Sequence, residues 1–184
     1  MRDEQQEVLD FWLHEVGSER WYESSPELDA EIRERFGALW QRAAEGRLCH
    51  WLSNPRGALA LIIVLDQFPR NMFRGTPEAY RSDKRALAAA KVALDRRFDR
   101  RIPEPERQFF YLPLMHSEDL PDQERCVRLI KLRMPETGER NLEHARRHRE
   151  VIRRFGRFPS RNPILGRADT EDERRYRAAG GYMG

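Results

Sequence analysis

One stretch constrains this chain more than any other. Leu59-Ala-Leu-Ile-Ile-Val-Leu65 carries no polar side chain, in a sequence where 35% of residues are charged. Asp66, Gln67, Arg70 and Asn71 then crowd around Pro69. A bilayer span needs about 20 apolar residues, so the run is too short to be one. It predicts a buried core helix, ended by Pro69 because proline lacks an N–H and disfavours helix in the residue before it. The end of that helix presents a carboxylate, an amide and a guanidinium.

The flanking sequence supplies helices to cover such a core. Val8, Trp12 and Val16 recur every fourth residue, with Leu9 and Leu13 beside them, up to Gly17. Ser25-Pro26-Glu27 reads as N-cap, first helical residue and acidic first turn. It is followed by the stripe Leu28, Ile32, Phe36, Leu39-Trp40. Asn54-Pro55 opens the core helix, and Ser82-Asp83 opens an alanine-rich one. Phe109 to Met115 reads as an apolar helix with Pro113 near its end, and Ser117 as the N-cap of the helix after it. Ala145, His148, Ile152 and Phe155 stripe a further helix, and Thr170 to Glu173 form a capping box. Trp21 and Tyr22 are expected to pack on the core from a loop. No segment alternates with the period of a strand. The chain is therefore expected to be all-α, with about eight helices in antiparallel hairpins. It is expected to be a single helical domain over 1–184, in which 176–184 frays.

The charge load exceeds the usual ~25% and suits amphipathic helices with solvated faces. The aromatic fraction of 10% argues against disorder. Net charge is +3, which permits nucleic-acid contact without demanding it. Cys49 and Cys126 form no metal-type pair, and no apolar leader follows Met1. Free thiols and a cytoplasmic setting are expected.

Three blocks carry a resemblance. Leu65-Asp-Gln-Phe-Pro-Arg-Asn-Met-Phe-Arg-Gly-Thr-Pro-Glu78, Phe109-Phe-Tyr-Leu-Pro-Leu-Met-His-Ser-Glu-Asp-Leu120 and Arg154-Phe-Gly-Arg-Phe-Pro-Ser-Arg-Asn162 resemble the signatures of the bacterial domain-of-unknown-function 924 family. Val8-Leu-Asp-Phe-Trp12 resembles its N-terminal motif. The resemblance implies a right-handed helical array of tetratricopeptide type and transfers no activity.

Site candidates follow from residue chemistry. His116 beside Glu118 and Asp119 has the composition for acid–base work, or for a capping cluster. Asp66, Gln67, Arg70 and Asn71 suit a polar ligand, or a buried ion-pair network. His144 and His148 are four residues apart, but His148 shares a stripe with Ala145 and Ile152 and reads better as a core histidine than as a metal ligand. Phe68-Pro69-Arg70-Asn71 is echoed by Phe158-Pro159-Ser160-Arg161-Asn162. Either this is a shared turn recipe, or two loops each donate an Arg and an Asn to one cleft. Arg140 to Arg161 is basic, but Glu143 and Glu150 sit where they can pair with Arg147 and Arg154.

The leading expectation is a binding module whose ligand residues are Asp66, Gln67, Arg70, Asn71, His148, Arg154, Arg161 and Asn162. Its ligand would be a small anionic molecule or peptide. The alternatives are a small metal-independent hydrolase using His116, Glu118 and Asp119, and an RNA-contacting protein using residues 140–161, the latter disfavoured. No cofactor, metal or membrane is expected. The sequence carries no phosphate-binding glycine loop or nucleophile elbow.

Overall fold

The computed structural model describes residues 3–182. They are all-α. In chain order come α1 Glu4–Leu9, continued by a π-helical segment Asp10–Val16, α2 Pro26–Ala44, α3 Pro55–Ile62, α4 Phe68–Met72, α5 Asp83–Asp95, α6 Leu112–Met115, α7 Leu120–Arg133, α8 Glu139–Phe155 and α9 Glu171–Ala178, with short 3₁₀ turns between several of them. No strand occurs among the described residues.

Local rules explain most starts. Ser25 Oγ accepts the Leu28 N–H at 3.3 Å, with Pro26 at the first turn. Asn54 Oδ1 accepts the Gly57 N–H at 2.9 Å, with Pro55 behind it. Thr170 and Glu173 complete a reciprocal capping box on α9. Each such cap is worth about 1 kcal/mol.

The rod around which the fold is built does not stop at Pro69. α3 passes through a π-helical turn, Ile63–Gln67, directly into α4, which holds Pro69 in its first turn. In the π turn the Phe68 N–H reaches back five residues to the Ile63 carbonyl. Proline then falls where a helix needs no amide donor. Its missing N–H would otherwise leave the Leu65 carbonyl unpaired. The Ser82 hydroxyl donates to that carbonyl at 2.6 Å, while accepting the Trp40 Nε1–H at 3.0 Å. π turns of this kind are often found at functional sites.

Every residue from Gly57 to Pro69 is buried. α1, α2 and α5 pack on this rod, with α6 against α5 and α7. Phe68 is the hub of an aromatic cluster, with ring centroids 4.8 Å from Phe36, 5.6 Å from Trp12 and 6.1 Å from Phe11. Fully burying each such side chain contributes about 1.5–3 kcal/mol. A second, smaller cluster joins Val151, Ile152 and Phe158 to Leu120, Phe155, Tyr176 and Tyr182.

Three local expectations are corrected. Phe109 to Met115 is not one helix: a 3₁₀ turn, Glu106–Phe110, precedes α6, and Pro113 sits at the start of α6. Asp119, not Ser117, caps α7, and Ser117 instead donates to Asp122 Oδ2 at 2.9 Å. The tail after α8 makes contacts of its own among the described residues. Tyr176 stacks on Phe155 with centroids 4.9 Å apart, and Tyr182 folds back onto α8. Gly181 fits directly against the Tyr176 ring, where a Cβ would collide. Residues 183–184 of that tail lie outside the described residues. Of the loop aromatics, Trp21 is buried, but Tyr22 is 54% exposed.

Candidate functional site

The C-terminal part of the rod meets α6, α8 and the loop after α1 around a cleft of about 440 Å³. The π turn and α4 supply Gln67, Arg70 and Asn71; the residue after α6 supplies His116; α8 supplies Arg140, Asn141, His144 and His148. Trp21, Tyr22 and Tyr182 form aromatic walls, with Leu112 and Met115 as apolar lining.

At its base Asp66 Oδ1 lies 2.8 Å from His116 Nδ1. Asp66 is 1% exposed. Burial alone would raise its pKa, but Arg70 and His116 hold it well below the ordinary carboxylate range. Its other oxygen accepts the Gln67 Nε2–H at 2.6 Å. Burial, and then the Arg70 charge, push the His116 pKa below its ordinary value, with Asp66 opposing them. The imidazole is therefore neutral at pH 7. An ionised carboxylate can only accept, so Nδ1 carries the proton and Nε2 the lone pair.

Arg70 sets its fork on Asp83, at 3.0 and 3.2 Å, and donates to the Asp66 carbonyl at 2.7 Å. Asn71 Nδ2 donates to Asp29 at 2.9 Å, and Arg74 grips the same carboxylate at 2.9 and 3.0 Å. On α8, His148 donates its Nδ1–H to the His144 carbonyl at 2.9 Å. Burial lowers its pKa to about 3, so it too is neutral. His144 Nδ1 lies 2.8 Å from the Tyr182 hydroxyl. The Tyr22 hydroxyl donates to Gln108 Oε1, which also accepts from Asn141 at 2.8 Å. Arg140 is exposed on the cleft wall and makes no ion pair among the described residues.

The expected site residues divide. Gln67, Arg70, Asn71, His116 and His148 line the cleft, and Asp66 stands directly behind His116. Glu118 does not join them. It takes the Arg167 fork at 2.7 and 2.9 Å and the Phe158 N–H at 2.8 Å, which hold its pKa down although burial would raise it. Asp119 is a helix cap. Arg154 stacks on Phe155 and Tyr176, and Asn162 is buried between Asp169 and Arg167.

The echoed loops converge by half. Arg70 and Arg161 both face Asp83, at 3.0 and 3.7 Å, and both lie over the Tyr80 ring. The two asparagines diverge, to Asp29 and to Asp169. Sequence reasoning placed Arg140 only in the basic segment, and missed Arg74, Asn141 and Tyr182. Arg140, His144 and His148 recur every fourth residue on α8, and that spacing was the available signal.

In the basic segment Glu143 pairs with Arg147 at 2.5 Å, as the spacing suggests. Glu150 pairs with Arg149 and Arg153, not with Arg154. Among the described residues no His, Cys, Asp and Glu side chains are grouped to hold a metal ion, and no helix is long and apolar enough to cross a membrane.

A comparison with curated proteins returned no match. Among solved structures, the chain is similar to the protein of unknown function ATU0120 from Agrobacterium tumefaciens. The two share 39% identity over 96% of this chain and 97% of that one, with a TM-score of 0.89. The family model described as "Bacterial protein of unknown function (DUF924)" matches residues 8–181, nearly the whole sequence and all three signature blocks, and the chain belongs to that family.

Proposed function

We propose that the cleft binds a small organic anion, a carboxylate or a phosphate ester, with Arg140 as its clamp. The observation that carries this reading is the state of the cleft's three arginines. Arg70 and Arg74 are held by carboxylates behind the wall, whereas Arg140, on the wall itself, makes no ion pair among the described residues. Among the described residues that line the cleft the one carboxylate, Glu23, is 3.6 Å from Arg20. The volume of about 440 Å³ falls within the ~300–1,000 Å³ of small-molecule sites. Neutral His116 and His148, with Trp21 and Tyr182, offer hydrogen bonds and apolar surface to the body of the ligand.

The basic segment lends RNA binding little support, because Arg147, Arg149 and Arg153 are neutralised by Glu143, Glu124 and Glu150. α7 and α8 pack against each other as a hairpin, which supports the tetratricopeptide-like part of the reading. Unpaired Cys49 and Cys126 support a cytoplasmic setting.

The test is a thermal-shift and calorimetric screen of mono- and dicarboxylates and phosphate esters. Arg140→Ala should weaken the best ligand at least about tenfold, the ~1.4 kcal/mol of a charge-assisted hydrogen bond. Its Tm should stay at the wild-type value, because the side chain is exposed. A wild-type protein that no anion stabilises would retire the reading.

A further inference from the structure

We propose that Asp66 and His116 are a proton-transfer pair, and that the cleft hydrolyses an ester or amide of the anion it binds. The inference rests on the anion-binding reading for its substrate and on separate geometry for its chemistry. Asp66 Oδ1 lies 2.8 Å from His116 Nδ1, on the floor of a cleft that His116 lines. The carboxylate is 1% exposed and is fixed on its other oxygen by Gln67. The imidazole is thus oriented through one nitrogen, leaving Nε2 as a base. This is the arrangement that a general base requires.

The rest of the cleft narrows the chemistry. Among the described residues that line it there is no serine, threonine, cysteine or lysine. The neighbouring Ser117 is outside that lining and donates its hydroxyl to Asp122 at 2.9 Å, so the group His116 activates is water. As the water oxygen bonds to the carbonyl carbon, Nε2 takes one water proton, and ionised Asp66 stabilises the imidazolium. The tetrahedral adduct then collapses. The bond from carbon to the leaving oxygen or nitrogen breaks, and Nε2 returns the proton to that atom. An acid and an alcohol or amine are released.

The experiment uses two chromogenic probes, the anionic half-ester 4-nitrophenyl succinate and the neutral 4-nitrophenyl acetate. Wild type should release nitrophenolate from the half-ester above the buffer rate. His116→Ala should lose on the order of 10²–10⁴-fold in kcat, the span of general acid–base catalysis, and added imidazole should restore part of it. Imidazole rescue would not follow from a merely structural histidine. Arg140→Ala should lower kcat/KM for the half-ester more than for the acetate.

Two failures are distinguishable. A half-ester that raises the Tm of wild type but is not cleaved overturns the hydrolytic assignment and leaves binding intact. Cleavage of both esters with the same preference in Arg140→Ala as in wild type overturns the anion clamp and leaves the base. The pair itself is read from the His116 tautomer in wild type, by two-bond nitrogen–proton NMR. Nδ1–H supports it and Nε2–H overturns it.

Discussion

Ser82 shows how a single hydroxyl can license a proline inside a buried rod. It gives the Leu65 carbonyl the donor that Pro69 lacks, and takes the Trp40 indole N–H in return. Ser82→Ala removes both partners at a position that is 1% exposed. Leaving a buried polar group unpaired costs about 1–3 kcal/mol, and urea denaturation should show a loss of that size. His148 supports a prediction about pH. Burial lowers its folded pKa to about 3, against an ordinary value of about 6.5. Below that ordinary value the unfolded chain binds a proton that the folded chain refuses, so stability falls as pH drops from about 6.5 toward 3. His116 is lowered too and adds to the fall. Asp66 acts only at lower pH: its depressed pKa makes its contribution complete above the ordinary carboxylate value, and the contribution is lost as pH falls below that. Unfolding free energies at about pH 7, 6 and 5 should decline, with His148 contributing up to about 1.4 kcal/mol per unit. In His148→Phe the decline should be shallower. The residue scale also shows where adjacency in sequence misleads. Glu118 and Asp119 stand next to the site histidine in the chain, yet one serves Arg167 and the other a helix end.

Elements whose origin is local were legible in the sequence. Caps at Ser25, Asn54 and Thr170 and the 3.6-residue stripes are decided by neighbours a few positions away. The buried run from Leu59 to Leu65 announced itself by composition alone. Ile62 is fully buried and Leu61 nearly so. Ile62→Ala should therefore cost about 2–5 kcal/mol in a denaturant melt, and a loss under about 1 kcal/mol would contradict a close-packed rod. The π turn was not legible, because proline rules describe an α-helix with unbroken register. One extra residue in the turn lets Pro69 sit at a helix start, and a hydroxyl from a distant segment completes the pairing. Pro113 misled in the mirror sense, since proline opens α6 where it was expected near a helix end. The arginines of the echoed loops met at Asp83 while their asparagines parted. A shared local recipe sets the backbone of both loops, but long-range packing decides what each side chain meets.

At the scale of the whole molecule the cleft belongs to no single element. Its walls come from Trp21 to Glu23, Gln67 to Arg74, Leu112 to His116, Arg140 to His148, and Tyr182. That convergence is why Tyr182, and the place of Arg140 in a cleft, do not show along the chain. It also means that an occupant of the cleft would act as a reversible cross-link between both ends of the sequence. Any opening that lifts α8 or Tyr182 from the rod would first have to expel it. At a ligand concentration of about 100 Kd such openings become costlier by about 2.7 kcal/mol, which is roughly a hundredfold in their population. Amide hydrogen exchange in α8 and in residues 21–23 should slow by that factor together, although the two segments are distant in sequence, while surface turns beyond the cleft keep their rates. Synchronous protection of these separate segments would therefore report a cognate compound without any assay of its chemistry.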